Sequence, residues 1–224
     1  MTETDRIAQA YRRPRSVSRW DASNPGNQAI LAERRALTRR LLRSVAGKRI
    51  LEVGCGFGGE LAAMVELGAS PSNLVGVDLL PERVEGARQA HPDIDFRVAN
   101  AEHLEFAEAS FDVVMALTIF TSILDTRMAA GVAAEMRRVL RPGGGVLWYD
   151  FRYDNPFNPH VRGVREGEVR RLFPGFTGEL YPVTLIPQIA RRLGPITAFA
   201  YPRLGAVTPL RSHLLGLLTK PDAV

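Results

Sequence analysis

The sequence predicts an α/β fold: a doubly wound, mostly parallel sheet flanked by helices and preceded by a helical N-terminal cap. Three observations predict it. Short apolar runs at Ile50-Leu51-Glu52-Val53, Leu74-Val75-Gly76-Val77-Asp78 and Ser110-Phe111-Asp112-Val113-Val114-Met115-Ala116 read as strands buried on both faces. Between and after them helical spacing returns, with Leu61, Met64 and Val65 on one face and later Met128, Val132, Met136 and Val139 on another. The first run stops at Gly54-Cys55-Gly56-Phe57-Gly58-Gly59, a sharp turn whose glycines tolerate positive φ and let a ligand approach the main chain.

Length and charge narrow the function. A chain of 224 residues fits one domain with a proper core. The net charge is +5, and all 29 basic residues except Lys48 and Lys220 are arginine. They are dispersed among acids through the helices, so no nucleic-acid partner is expected. Cys55 is the single cysteine, which excludes an intramolecular disulfide and a cysteine-rich zinc site and points to a reducing compartment. The start, Met1-Thr2-Glu3-Thr4-Asp5-Arg6, is polar, and no apolar run approaches the ~20 residues of a spanning helix. A cytoplasmic protein with no membrane partner is expected.

In chain order, residues 1–46 form the cap, with breaks at Pro14 and at Asn24-Pro25-Gly26-Asn27. Its first helix holds Ile7, Ala10 and Tyr11 on one side. The second runs from Gln28 and turns Ile30, Leu37, Leu41, Leu42 and Val45 inward. The basic stretch Arg12-Arg13-Pro14-Arg15-Ser16-Val17-Ser18-Arg19-Trp20 between them is either a solvated linker or faces a substrate. In the core, residues 47–151, Asp78 lies about 20 positions beyond the glycine turn, where a carboxylate accepts hydrogen bonds from two ribose hydroxyls. Pro81 then opens a helix. A third strand spans Asp95-Phe96-Arg97-Val98, a helix Arg127 to Leu140 stops at Arg141-Pro142-Gly143-Gly144-Gly145, and a fifth strand spans Val146 to Phe151. Residues 152–224 form an acceptor-side segment. It comprises a Pro/Asn/Arg-rich loop, a short helix near Glu166 to Leu172 and apolar strands at Glu179 to Ile186 and Ser212 to Thr219, with no readable pattern over Ile196 to Pro209.

The glycines alone fit both G-x-G-x-x-G and G-x-G-x-G. With Glu52 the stretch becomes E-x-G-x-G-x-G, which resembles the first motif of class I S-adenosylmethionine (SAM) methyltransferases. Ala99-Asn100-Ala101-Glu102 resembles the family's adenine motif, with Asn100 where Asp is common. Phe111-Asp112-Val113-Val114 and Arg138-Val139-Leu140-Arg141-Pro142-Gly143-Gly144 resemble the later motifs of the "type 11" methyltransferase domain, the group that includes the ubiquinone-pathway enzymes. The resemblance implies a seven-stranded Rossmann-like sheet, SAM as cofactor and S-adenosyl-L-homocysteine (SAH) as product. It implies cofactor contacts from Glu52, Gly54, Cys55, Gly56 and Gly58 at the methionine end, with Cys55 a space-filler rather than a nucleophile. Asp78 would hold the ribose, Leu79 the adenine face, Asn100, Ala101 and Glu102 its edge, and Leu117 would close the pocket.

Methyl transfer needs alignment, exclusion of water and sometimes a base. Tyr149, Asp150, Tyr153 and His160 are the candidate catalytic residues. No metal is expected, because Asp154-Asn155 has no carboxylate partner in Leu117 to Leu124. The arginines flanking the core suggest a small-molecule acceptor that is anionic, phosphorylated or diphosphorylated with an apolar portion, such as a prenyl diphosphate or a sugar nucleotide. Tyr11, Arg15, Arg19, Trp20, Phe120, Arg152, Arg162 and Arg165 would meet it. An unphosphorylated sugar or glycolipid acceptor, a nicotinamide-dependent oxidoreductase and a non-catalytic SAM-binding domain are the alternatives.

Overall fold

The computed structural model describes residues 2–12, 21–155 and 158–222. Arg15, Arg19 and Trp20 lie outside the described residues. Two cap helices, α1 (Glu3–Arg12) and α2 (Pro25–Leu42), precede β1 (Ile50–Val53), α3 (Gly59–Glu66), β2 (Leu74–Asp78), α4 (Pro81–Ala90) and β3 (Asp95–Val98). There follow β4 (Phe111–Leu117), α5 (Thr126–Val139), β5 (Leu140–Phe151), α6 (Glu166–Leu172), β6 (Leu180–Leu185), α7 (Pro187–Ala190), α8 (Thr197–Gly205) and β7 (Arg211–Thr219). The described strands form one seven-stranded sheet in the order β3-β2-β1-β4-β5-β7-β6. All pairs from β3 to β5 are parallel and β7 is antiparallel to both its neighbours.

The order reverses between β1 and β4, and a crevice opens where such strands end. Side-chain alternation along the buried strands feeds two cores. Leu51, Val53 and Val114 pack with α5 and α6 residues such as Val132, Met136 and Val169 on one face. Ile50, Leu74, Val113 and Met115 pack with Leu61, Met64 and Val84 on the other.

Three boundaries differ from the sequence reading. Helix α2 starts at Pro25 rather than Gln28, because Asn24 caps it: its Oδ1 accepts from Gly26 N at 2.9 Å and Asn27 N at 3.2 Å. Strand β5 starts at Leu140, not Val146, since Leu140 already pairs with Phe111 before a register shift brings Gly145 opposite Val113. The stretch without pattern, 196–209, contains α8, which carries Pro202 inside it and buries Thr197, Tyr201 and Gly205. No described helix is long and apolar enough to cross a membrane.

Candidate active site

The turn after β1 is built by backbone chemistry. Gly54, Gly56 and Gly58 have φ of 76°, 54° and 81°, the left-handed region that side chains disfavour. Gly54 N and Cys55 N both donate to Val77 O, at 2.8 and 2.9 Å, which clamps the turn to β2. A Cβ on Gly58 would lie 2.6 Å from the Phe96 ring, so space as well as φ requires glycine there. Asp78, buried at the end of β2, completes the clamp: Oδ2 accepts from Gly56 N at 2.9 Å and Oδ1 from Leu80 N at 3.0 Å.

Beside this turn lies a cavity of about 310 Å³, lined among others by Gly54, Asp78, Leu79, Asn100, Ala101 and Leu117. Helix α1 covers it with Ile7 and Tyr11. The Tyr11 hydroxyl bonds Ser122 Oγ at 2.5 Å and Glu3 accepts from Leu124 N at 2.6 Å, while Arg6 reaches the Ser122 carbonyl, so a polar seam holds α1 to the loop after β4. Glu52 lies beneath the turn, buried, with Oε2 lacking a hydrogen-bond partner. Burial, and then the nearby Glu60 carboxylate, raise its pKa well above the ordinary carboxylate range.

A second cavity, about 590 Å³, adjoins the first. Tyr11 and Thr118 line both. Its walls come from α2 (Asn27, Ile30, Arg34), the start of α3 (Glu60), the end of β5 (Tyr149, Phe151), α7 with Arg191, and His213 of β7. Thr118 takes φ of 58°, an uncommon conformation for a β-branched residue, and its N donates to Tyr149 O at 2.6 Å. The Arg34 guanidinium pairs with Glu60 and sits 5.2 Å from the Tyr149 ring centroid.

His213 is sandwiched in this wall. Its ring stacks on Tyr149 at 4.6 Å with 4° between planes, and the Phe151 ring is 3.9 Å away. Ser212 Oγ donates to Thr184 O at 3.0 Å, so its proton is used. The 2.8 Å bond between Ser212 Oγ and His213 Nδ1 then runs from the imidazole, which puts the proton on Nδ1 and leaves Nε2 as the acceptor. Burial, with a smaller push from Arg34, lowers the His213 pKa to about 3. The imidazole is therefore neutral at physiological pH.

Comparison with known proteins shows what the core resembles. Residues 50–144 match the family described as "Methyltransferase domain". The core of this chain, from β1 into β5, is thus similar to a methyltransferase domain. The "Probable phthiotriol/phenolphthiotriol dimycocerosates methyltransferase 2" of Mycobacterium ulcerans is 38% identical over 48% of this chain and 41% of its own length. The "Fatty-acid O-methyltransferase" of Mycolicibacterium smegmatis is 38% identical over 50% of this chain and 41% of its own. The chain thus spans about two fifths of the length of these curated relatives, at 41%. A SAM-dependent methyltransferase structure from Mesorhizobium loti matches 83% of this chain and 96% of its own with a TM-score of 0.63; at 22% identity it shows the shared fold.

Within this methyltransferase fold, the residues singled out by sequence part company. Gly54, Asp78, Leu79, Asn100, Ala101 and Leu117 converge on the first cavity. Glu52, Cys55, Gly56 and Gly58 do not line it; they belong to the strand and turn that present Gly54. Cys55 is buried and its thiol pKa is pushed up by burial, as suits a space-filler. Glu102 lies behind Asn100, whose Oδ1 accepts from Glu102 N at 3.0 Å. Of the four catalytic candidates only Tyr149 lines the second cavity, and its hydroxyl bonds Thr184 Oγ1 at 2.9 Å while burial raises its pKa to about 12.

The remaining candidates stand elsewhere. Asp150 is fully buried and spends its oxygens on Thr121 N and Phe151 N, at 3.0 and 2.8 Å. Tyr153 is exposed under the Arg152 guanidinium, and His160 lines neither cavity. Phe120 packs in the core against Trp148 and Phe173. Arg162 pairs with Glu168 and donates to Ile123 O at 2.8 Å, and Arg165 precedes α6 as its N-cap. Asp154 serves a turn, with Oδ1 accepting from Gly163 N at 2.8 Å. Sequence reasoning passed over Asn27, Arg34, Glu60, Thr118, Arg191 and His213. None belongs to a motif, and only the fold brings them to one cavity.

Proposed function

We propose that this protein is a SAM-dependent methyltransferase acting on a small organic acceptor with an extended apolar portion. The observation that carries the reading is the pair of adjoining cavities sharing Tyr11 and Thr118, one beside the glycine turn and Asp78, the other larger and lined by apolar and aromatic side chains such as Ile30, Leu31, Tyr149 and Phe151 together with polar ones. The first fits SAM. The turn offers a floor free of side chains, Asp78 keeps lone pairs for ribose hydroxyls beyond the two N–H groups it already serves, and the buried Glu52 oxygen lacks a partner. When bound, SAM supplies an electrophilic sulfonium methyl group.

The chain's own residues then do the rest. Asp78, Asn100 and Leu79 hold and orient the nucleoside end. Ile7 and Tyr11 of α1 exclude water. Tyr149, Phe151 and Ile30 orient the acceptor toward the junction at Thr118. His213 Nε2 receives the hydrogen bond, and late in the transfer the proton, of an acceptor hydroxyl. An oxygen that is gaining a methyl group becomes strongly acidic, so a neutral imidazole of low pKa suffices. A carboxylate acceptor would need no such base. The names of the relatives, a phthiotriol dimycocerosate and a fatty-acid methyltransferase, favour a lipid-like acceptor.

Calorimetry tests the cofactor half: SAH should bind with Kd in the low micromolar range, about −8 kcal/mol. Asp78→Ala should lose about 1.5–3 kcal/mol. Binding of NAD in place of SAH would overturn the assignment. Methyl transfer from labelled SAM to long-chain fatty acids and to hydroxylated lipids tests the acceptor half. His213→Phe should lower kcat/KM about 10²–10⁴-fold for hydroxyl acceptors only; equal loss on carboxylates would refute the base.

A second, finer reading is an anionic, phosphorylated acceptor. Its support moves from the flanking arginines to Arg34 and Arg191, which line the cavity. Matched phosphorylated and dephosphorylated acceptors compared by kcat/KM decide it, with equal values counting against the phosphate.

A further inference from the structure

The 25-odd residues between β6 and β7 form a helical insertion that carries the most apolar exposed surface of the described chain. Helix α8 buries Thr197, Tyr201 and Gly205 on its inner side. On its outer side Ile196, Phe199 and Val207 are 59%, 62% and 48% exposed. Ile196 immediately precedes α8 and Val207 follows it, while Phe199 and Arg203 lie one turn apart on the helix. The Arg203 guanidinium covers the Phe199 ring at 3.5 Å and donates to Phe199 O at 2.9 Å. Exposed Arg192, Pro195 and Pro202 extend the surface.

Charge narrows what could cover it. No Asp or Glu occurs between Glu179 and Asp222, whereas Arg191, Arg192, Arg203, Arg211 and Lys220 do. The carboxylate that reaches α8, Glu33, bonds Tyr201 on the inner side and is paired with Arg211, so the outer apolar face is flanked by Arg192 and Arg203 and complements a surface with negative headgroups over an apolar interior. The insertion also walls the acceptor cavity: Pro187, Gln188 and Arg191 line it, and the short turn Gly194–Ile196 leads from there to the exposed face.

We propose that the α7–α8 insertion docks on an anionic lipid surface through Ile196, Phe199 and Val207, with Arg192 and Arg203 meeting the headgroups. Docking in the interfacial plane requires no spanning helix. It places the wall of the acceptor cavity against the lipid, so that an acceptor with an apolar tail reaches the cavity without first crossing water. Only this last consequence rests on the proposed function; the docking itself rests on the surface.

The test is co-sedimentation of the full chain, without cofactor, with phosphatidylglycerol vesicles and in parallel with phosphatidylcholine vesicles. The wild type should partition onto phosphatidylglycerol, less so as salt is added, and weakly onto phosphatidylcholine. Phe199→Ser should weaken the partition about tenfold or more, and Arg203→Glu should weaken it on phosphatidylglycerol alone. Both variants should melt like wild type and keep its SAH affinity, since neither residue lines a cavity. Absence of wild-type partition, an unchanged partition in Phe199→Ser, or a wild-type dimer that Phe199→Ser converts to monomer would overturn the proposal, the last because a second copy would then cover the face. A wild type that binds SAH but no vesicle overturns the docking and leaves methyl transfer standing.

Discussion

Asp150 is fully buried, and its two oxygens accept from Thr121 N and Phe151 N, yet burial outweighs those donors and drives its pKa up to about 7. The native state therefore holds this proton at pH values where the unfolded chain, with a carboxyl near 3.8, has released it. The sign follows: its contribution is fully present below about pH 4 and is lost as pH rises through about 7, an effect of the order of 4 kcal/mol. Asp150→Asn removes the titration and leaves one N–H facing an amide NH₂, which costs about 1–3 kcal/mol. Urea unfolding at pH 5 and pH 8 should thus show wild type losing more stability than the variant between the two; parallel losses would place the titration elsewhere. His213 is the opposite case, a base that burial keeps neutral, and it lines the second cavity. No motif marks it in the sequence. His160, in the loop after β5, is the histidine the sequence offers as a candidate, whereas the stacking of Tyr149 and Phe151 around His213 is tertiary.

Helices α2 and α7 meet so closely that a Cβ on Gly26 would lie 2.1 Å from the Ala190 carbonyl oxygen and 2.7 Å from Arg191 N. Gly26→Ala forces the backbones apart and should cost about 1–3 kcal/mol. Because α7 leads into Arg191 and carries Pro187 and Gln188 of the acceptor cavity, the variant should raise acceptor KM while SAH affinity, measured by calorimetry, stays near wild type. A matched loss in both would mean that the two cavities do not move separately. The elements of the sheet were legible because parallel strands buried on both faces are continuous apolar runs, and because glycine turns and Pro81 punctuate them. The glycine turn and the Asp78 clamp beside the first cavity were legible for the same reason: they are built by local backbone geometry. The second cavity was not. Arg34, Glu60, Thr118, Arg191 and His213 come from five separate elements or loops, and α8 hides behind Pro202 and a buried face of Thr197, Tyr201 and Gly205 that lacks an apolar stripe.

Across the whole molecule, α1 is the piece that joins the two cavities, since Tyr11 lines both and its hydroxyl bonds Ser122 in the loop after β4. The Arg83 guanidinium lies 4.4 Å from the Tyr11 ring centroid and itself lines the first cavity, so α1 is held from below as well. A ligand bound under α1 should therefore report on the entire assembly. SAH at about 100 times its Kd should add about 2.7 kcal/mol to the free energy of unfolding. For a chain of this size each kcal/mol raises Tm by about 2–4 °C, so a shift of several degrees is expected in a thermal melt. Tyr11→Ala removes the shared wall and the Ser122 bond together, and should reduce that shift because SAH escapes faster from a cavity that α1 no longer covers. Tyr11→Phe keeps the wall and should retain most of it. Phe199→Ser, on the far insertion, should leave the shift unchanged. If Tyr11→Ala melts with the full wild-type shift, α1 plays no part in holding the cofactor and the shared wall is only a boundary between two independent cavities.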